Sequence, residues 1–302
     1  MRRPIRNCVG LVIFLVAIAA AFYTQRIRIS DLVAESSAPT LPAAVGYEEV
    51  VATVSVVEEQ KTVVPPVIAR SLSDEAIPID EEIAASPTAP RNDNVVTPPT
   101  SGTKVPVNST VPSSYNLAVP FTSQAPFAKW DEMHGEACEE ASIYMVAAFY
   151  KGVAGKIDPT VADAELYRLV AIENETFGYF EDTDAAETAR LAKIAYGFSR
   201  VDLVEDPTAD QIKAFIASGH PVIVPAAGRQ LRNPNFTGDG PPYHMIVIRG
   251  YTETQFITND PGTRRGESYV YGIDTIMAAM HDWNGGDVDN GKKVVIVIYP
   301  NE

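Results

Sequence analysis

Two cysteines occur in the chain, and only Cys138 lies outside an N-terminal apolar run. It opens the segment CEEASIYMVAAFY, whose apolar density predicts a helix over 138–150 with the thiol in its first turn. The partial positive charge of a helix N-terminus favours a thiolate, which makes Cys138 a candidate nucleophile. A nucleophilic thiol needs a base, and the base needs a third group to fix its tautomer and orientation. The stretch PPYHMIVIRGYTETQFITNDPG supplies both. It reads as two β-rich runs joined by a short turn, His244 opening the first and Asp260 following the second. Antiparallel pairing sets the start of one run beside the end of the other, so imidazole and carboxylate can meet. Asn259 is an alternative orienter; Pro261, marking the strand end, favours Asp260.

Motif order adds a resemblance. VPFTSQAP, then CEEASIYM at a helix start, then YHMIVIRGY and NDPG together resemble the peptidase C39-like group of papain-like cysteine peptidases, relatives of the bacteriocin-processing double-glycine peptidases. The likeness runs from 116 to 302. It implies Cys138 as nucleophile, His244 as base, Asp260 as its orienter and Gln124 as oxyanion-hole donor. It further implies a peptide or protein substrate; no cofactor and no metal are expected, since no motif for either occurs in the sequence. Two departures stand out: Glu139 and Glu140 occupy places where the family often has Gly-Pro, and the stretch from Gln124 to Cys138 is long. Carboxylates beside a thiol raise its pKa. Two other functions therefore stay open on the same fold: amide hydrolysis or acyl transfer on cell-wall peptides, and a non-catalytic binding module.

The elements that must position these groups follow from pattern. The expected fold class is α+β, papain-like, a helical lobe packed on an antiparallel sheet. A strand is expected over 117–121. Helices are expected at 138–150, 160–173, 183–196, 208–217 and 273–281. Further strands are expected at 201–204, 221–225, 243–251, 254–259, 267–271 and 293–299. The segment 226–242, rich in Gly, Pro and Asn and ending just before His244, is a candidate specificity loop. Three other histidines are set aside: His134 as an exposed loop residue near the cleft, His220 as a solvated turn residue and His281 as a helix-end cation. The spacing of Asp282, Asp287 and Asp289 fits no EF-hand loop, and Asn290-Gly291 reads as a turn.

Composition sets the context. The formal charge is −15 at pH 7, and residues 116–302 carry 15 Lys and Arg against 27 Asp and Glu. Such a domain repels phosphate backbones, so no nucleic-acid partner is expected. A Gly-rich phosphate loop, HExxH and paired CxxC are all missing from the sequence. Residues 1–25 combine Arg2, Arg3 and Arg6 with an apolar run and read as a signal peptide or membrane anchor. The expected location is extracytoplasmic, secreted or held at the membrane by this segment. Residues 26–114 contain 11 of the 23 prolines and a single aromatic, Tyr47, and read as a disordered acidic linker to a catalytic domain over 115–302.

Overall fold

A computed structural model describes residues 40–53 and 111–301. The N-terminal apolar segment and most of the expected linker lie outside the described residues; among those described, no helix is long and apolar enough to cross a membrane. The linker reading fails for residues 40–53, which join the domain. Val45 N donates to Asn116 O at 2.9 Å, and Ala118 N donates to Val45 O at 2.7 Å. Residues 47–53 are helical; Val50 is buried, and the Tyr47 ring meets Phe149 and Tyr150 edge-on. Averaging composition over ninety residues hid a local apolar triad, Val45, Tyr47 and Val50, large enough to dock.

The helical lobe begins with α1, Glu132–Glu136, capped by Asp131, whose side chain accepts from His134 N. A break at Ala137 leads into α2, Cys138–Tyr150. Asp158 caps α3, Pro159–Thr176, with proline at its first position, where the missing N–H costs nothing. Asp184 and Glu187 form a capping box on α4, Ala185–Tyr196, and Gly197 ends it at φ 73. The α2 helix packs against strand β4 (Tyr243–Tyr251), α3 and α4. It is buried nearly all round, including Glu139 and Glu140. An amphipathic reading expects those carboxylates to find water; full enclosure removes it.

Among the described residues, seven strands form one antiparallel sheet. Its order is β2 (Val201–Glu205), β7 (Val294–Ile298), β3 (Val222–Ala227), β4, β5 (Gln255–Asn259) and β6 (Tyr269–Gly272), with β1 (Tyr115–Asn116) also on β4. Fully buried strands such as VVIVI and YHMIVIRGY carry apolar residues on both faces. A helix α5, Ala209–Ala217, links β2 to β3, and α6, Ile273–Ala279, follows β6. The strand expected at 117–121 does not form. Tyr115 and Asn116 pair with Tyr251 and Gly250 instead, and beyond them only isolated bridges at Leu117 and Phe121 remain. Pro120 supplies no N–H for a continuous ladder there.

Candidate active site

Sheet register decides how His244 meets its partner. Val247 stands opposite Asn259, and side chains alternate between faces along a strand. Asp260 therefore shares the face of His244 and Ile246, and Asn259 takes the other. The His244 Nε2 to Asp260 Oδ1 distance is 2.8 Å, with both residues buried. Asn259 is committed elsewhere: its amide donates to Val119 O and Pro120 O, and its oxygen accepts from Ser268 N. Three more donors converge on the carboxylate. Gly262 N reaches Oδ1 at 3.0 Å, while Asn233 Nδ2 and Tyr271 Oη reach Oδ2 at 3.0 and 2.5 Å. Burial pushes the Asp260 carboxyl up, yet the His244 charge and these donors outweigh it and hold it below its ordinary value. With Nε2–H directed at Asp260, Nδ1 is the basic nitrogen, and it has no hydrogen-bond partner among the described residues.

Cys138 sits at the α2 N-terminus with 6% of its surface exposed. Its Sγ–H donates to Glu139 Oε2 at 2.9 Å, and the backbone N–H of Met245, next to His244, points at the sulfur. Burial pushes the thiol well up, and the Glu139 carboxylate adds to that; the Met245 N–H opposes it. The expected preference for thiolate at a helix N-terminus is thus outweighed. Desolvation and an adjacent carboxylate together exceed the half charge of a helix end. Cys138 rests as a thiol.

Gln124 lies in the same cleft but offers no free donor. Its Nε2 gives one hydrogen bond to His134 O at 3.0 Å and another to Gly135 O at 2.9 Å, while Oε1 is buried without a partner. The break at Ala137 leaves those α1 carbonyls without helical partners, so they claim the amide. His134, expected in an exposed loop, is buried between Asp131 (2.6 Å from Nδ1) and Asp163 (2.9 Å from Nε2). His220, expected in solvent, is half-buried against Tyr299; burial, with Arg200 nearby, holds its pKa down at about 4. Asp282 accepts from Ala185 N and Tyr243 Oη. No group of three His, Cys, Asp or Glu among the described residues is arranged to hold a metal ion.

These groups open on a cleft of about 950 Å³, lined by Gln124, Cys138, Glu139 and His244 among others. Residues 234–237 and 240–242, within the expected specificity loop, form part of its wall, and Phe236 stands edge-on to the His244 ring at 5.3 Å. Asn233 and Tyr271, the two residues that grip Asp260 Oδ2, escaped sequence reasoning. An Asn in an irregular loop and a Tyr in an edge strand carry no motif.

Gly262 supports the imidazole from below. A Cβ there would lie 2.8 Å from His244 Cε1 and 2.9 Å from Nε2. Gly262→Ala is therefore expected to push the ring off Asp260 and lower kcat on any peptide substrate by about tenfold to a hundredfold, since ångström displacements cost that much. The melting temperature should move little. An unchanged kcat would mean that the ring position is not set there.

A helical lobe carrying a thiol at a helix start, packed against a sheet that presents a His–Asp pair, is the arrangement of papain-like α+β proteins. The chain belongs to the peptidase C39-like family, whose model matches residues 116–285. A solved structure described as that of a C39-like peptidase from Bacillus anthracis aligns over 62% of this chain and 98% of its own, at 16% identity and a TM-score of 0.42. No curated protein matches the chain.

Proposed function

We propose that the protein is an exported cysteine peptidase that hydrolyses peptide bonds through Cys138, His244 and Asp260. The observation that carries this reading is the His244–Asp260 pair, which leaves Nδ1 unpartnered in the cleft that Cys138 also lines. His244 Nδ1 takes the thiol proton while the sulfur attacks the carbonyl carbon. Because the thiol is pushed up, transfer and attack run together and no resting thiolate is required. The backbone N–H of Cys138 holds the oxyanion, joined by Gln124 when it exchanges Gly135 O for the substrate oxygen. The amine leaves with the proton from Nδ1, and water releases the acyl group.

Export rests on Arg2, Arg3 and Arg6 ahead of the apolar run, which places the rest of the chain beyond the membrane, anchored or released. The Cys138–Glu139 contact also favours a second reading, a binding module on the papain-like scaffold. Peptide turnover by the full chain separates the two. Hydrolysis that falls by about a thousandfold or more in both Cys138→Ala and His244→Ala supports the triad. Hydrolysis unaffected by Cys138→Ala refutes it, and inert wild-type protein that still binds peptides favours the module. Cell-wall peptides and added acceptor amines in the same panel distinguish hydrolysis from acyl transfer.

A further inference from the structure

The cleft is electrically divided. Glu136 and Glu139 flank Cys138 in the chain, and Asp182 lines the cleft with them. Glu139 is 1% exposed, its Oε2 engaged by the thiol and its Oε1 without any partner. These carboxylates feel one another: burial and then Asp182 raise Glu136, and burial and Glu181 raise Asp182. No lysine or arginine forms an ion pair with any of the three among the described residues. The opposite bias lies on the histidine side. Gly262 touches the His244 ring, and two residues on come Arg264 and Arg265, both exposed, both lining the cleft and neither in an ion pair among the described residues. Glu136 and Asp182 on one wall and Arg264 and Arg265 on the other thus have no counter-ion among the described residues, and between them burial pushes the Glu139 carboxyl well above its ordinary value.

We propose that the cleft selects peptides with a cationic side chain seated on the Glu136–Glu139–Asp182 wall and a carboxylate seated on Arg264 and Arg265, one on each side of the bond that is cut. This rests on the peptidase reading. An organic cation fits the acidic wall where a metal does not, since no three ligating groups there are arranged for an ion. Trp130, half-exposed on the cleft wall, offers an aromatic face for the stem of a Lys or Arg side chain. A carboxylate is the planar, two-oxygen partner that guanidinium groups accept best. Burial, with Glu173 and Asp182 nearby, pushes the Glu139 carboxyl up, so a cation seated beside it favours the ionised form and completes the pair.

Binding and turnover test this with the full chain. Fluorescent octapeptides of one apolar sequence carry Lys and Glu flanking the centre in either order, or Gln at both places. Anisotropy with the Cys138→Ala chain should show one charged order binding at least tenfold tighter than the Gln peptide, a preference that salt weakens. Glu136→Gln with Asp182→Asn should remove the contribution of Lys and spare that of Glu, and Arg264→Gln with Arg265→Gln should do the converse. All four positions are exposed or half-buried, so the variants should melt with the parent. Equal binding of the three peptides, or a preference that survives both double variants, overturns the inference. Turnover by the unsubstituted chain separates the two claims. Cleavage indifferent to charge sinks the inference and leaves the peptidase; charge-selective binding with no cleavage sinks the peptidase and leaves a charge-selective binding cleft.

Discussion

Asp260→Asn is expected to lower kcat on a peptide substrate by roughly a hundredfold to ten-thousandfold while leaving a folded protein. The reason lies in the donors around the carboxylate. Oδ1 accepts from His244 Nε2 and Gly262 N, and Oδ2 from Asn233 Nδ2 and Tyr271 Oη, so both oxygens act only as acceptors. An amide has one acceptor and must turn its NH₂ toward one of these pairs. Facing His244, it forces Nε2 to accept, moves the ring proton to Nδ1 and removes the base. Facing the other pair, it meets the Asn233 amide, and only the Tyr271 hydroxyl can reverse to accept. Either orientation also discards the negative charge that stabilises an imidazolium. Paired measurements of kcat and of far-ultraviolet circular dichroism check this: kcat should collapse with the spectrum retained, and Cys138 alkylation should slow along with kcat. Full activity in Asp260→Asn would show that His244 does not depend on an anionic partner.

The helix that begins at Cys138 and the strand of His244 follow directly from apolar patterning, with the same ends in sequence and structure. Dense apolar runs leave little competition for their secondary structure. The pairing of His244 with Asp260 is legible because alternation along β4 and β5 fixes which residues share a face. Glu139 and Glu140 read from sequence as a warning about the thiol, and the structure adds burial, which acts in the same direction and ahead of them. What sequence did not supply depends on distant neighbours. Asn233 meets Asp260 across twenty-seven positions, and the Gln124 amide is claimed by carbonyls that are free only because α1 stops at Ala137. The docking of residues 40–53 likewise requires a surface made by Phe149, Tyr150 and Leu117, which no local pattern reveals.

Replacing Glu140 and Glu173 together by glutamine is expected to stabilise the protein at pH 8 and to change it little near pH 4.5. Both carboxyls lie in the core, where Glu173 in its protonated form donates a hydrogen bond to Glu140, an acid–acid pair with no cation beside it among the described residues. Burial, reinforced by Glu139, pushes Glu140 up to about 8; burial, reinforced by Glu140, pushes Glu173 up to about 11. An acid raised on folding keeps its proton in the folded chain where the unfolded chain has released it. Its contribution is therefore whole below the unfolded value of 4.5 and is lost as pH rises toward the folded one. Each such group costs up to ~1.4 kcal/mol per pH unit within that window. Asp260 runs the other way, depressed on folding, so its contribution holds above 3.8 and is lost as pH falls further. The melting temperature should thus peak near pH 4, between the two ordinary values, and decline toward pH 8; two groups over about three pH units set an upper bound of ~8 kcal/mol, which is ~15–30 °C at ~2–4 °C per kcal/mol. Glutamine, shaped like the protonated acid and unable to ionise, should flatten the alkaline side. A parent profile that is level from pH 5 to 8 would mean that water reaches these carboxyls, and then Glu139 beside the nucleophile would lose its low-dielectric surroundings as well.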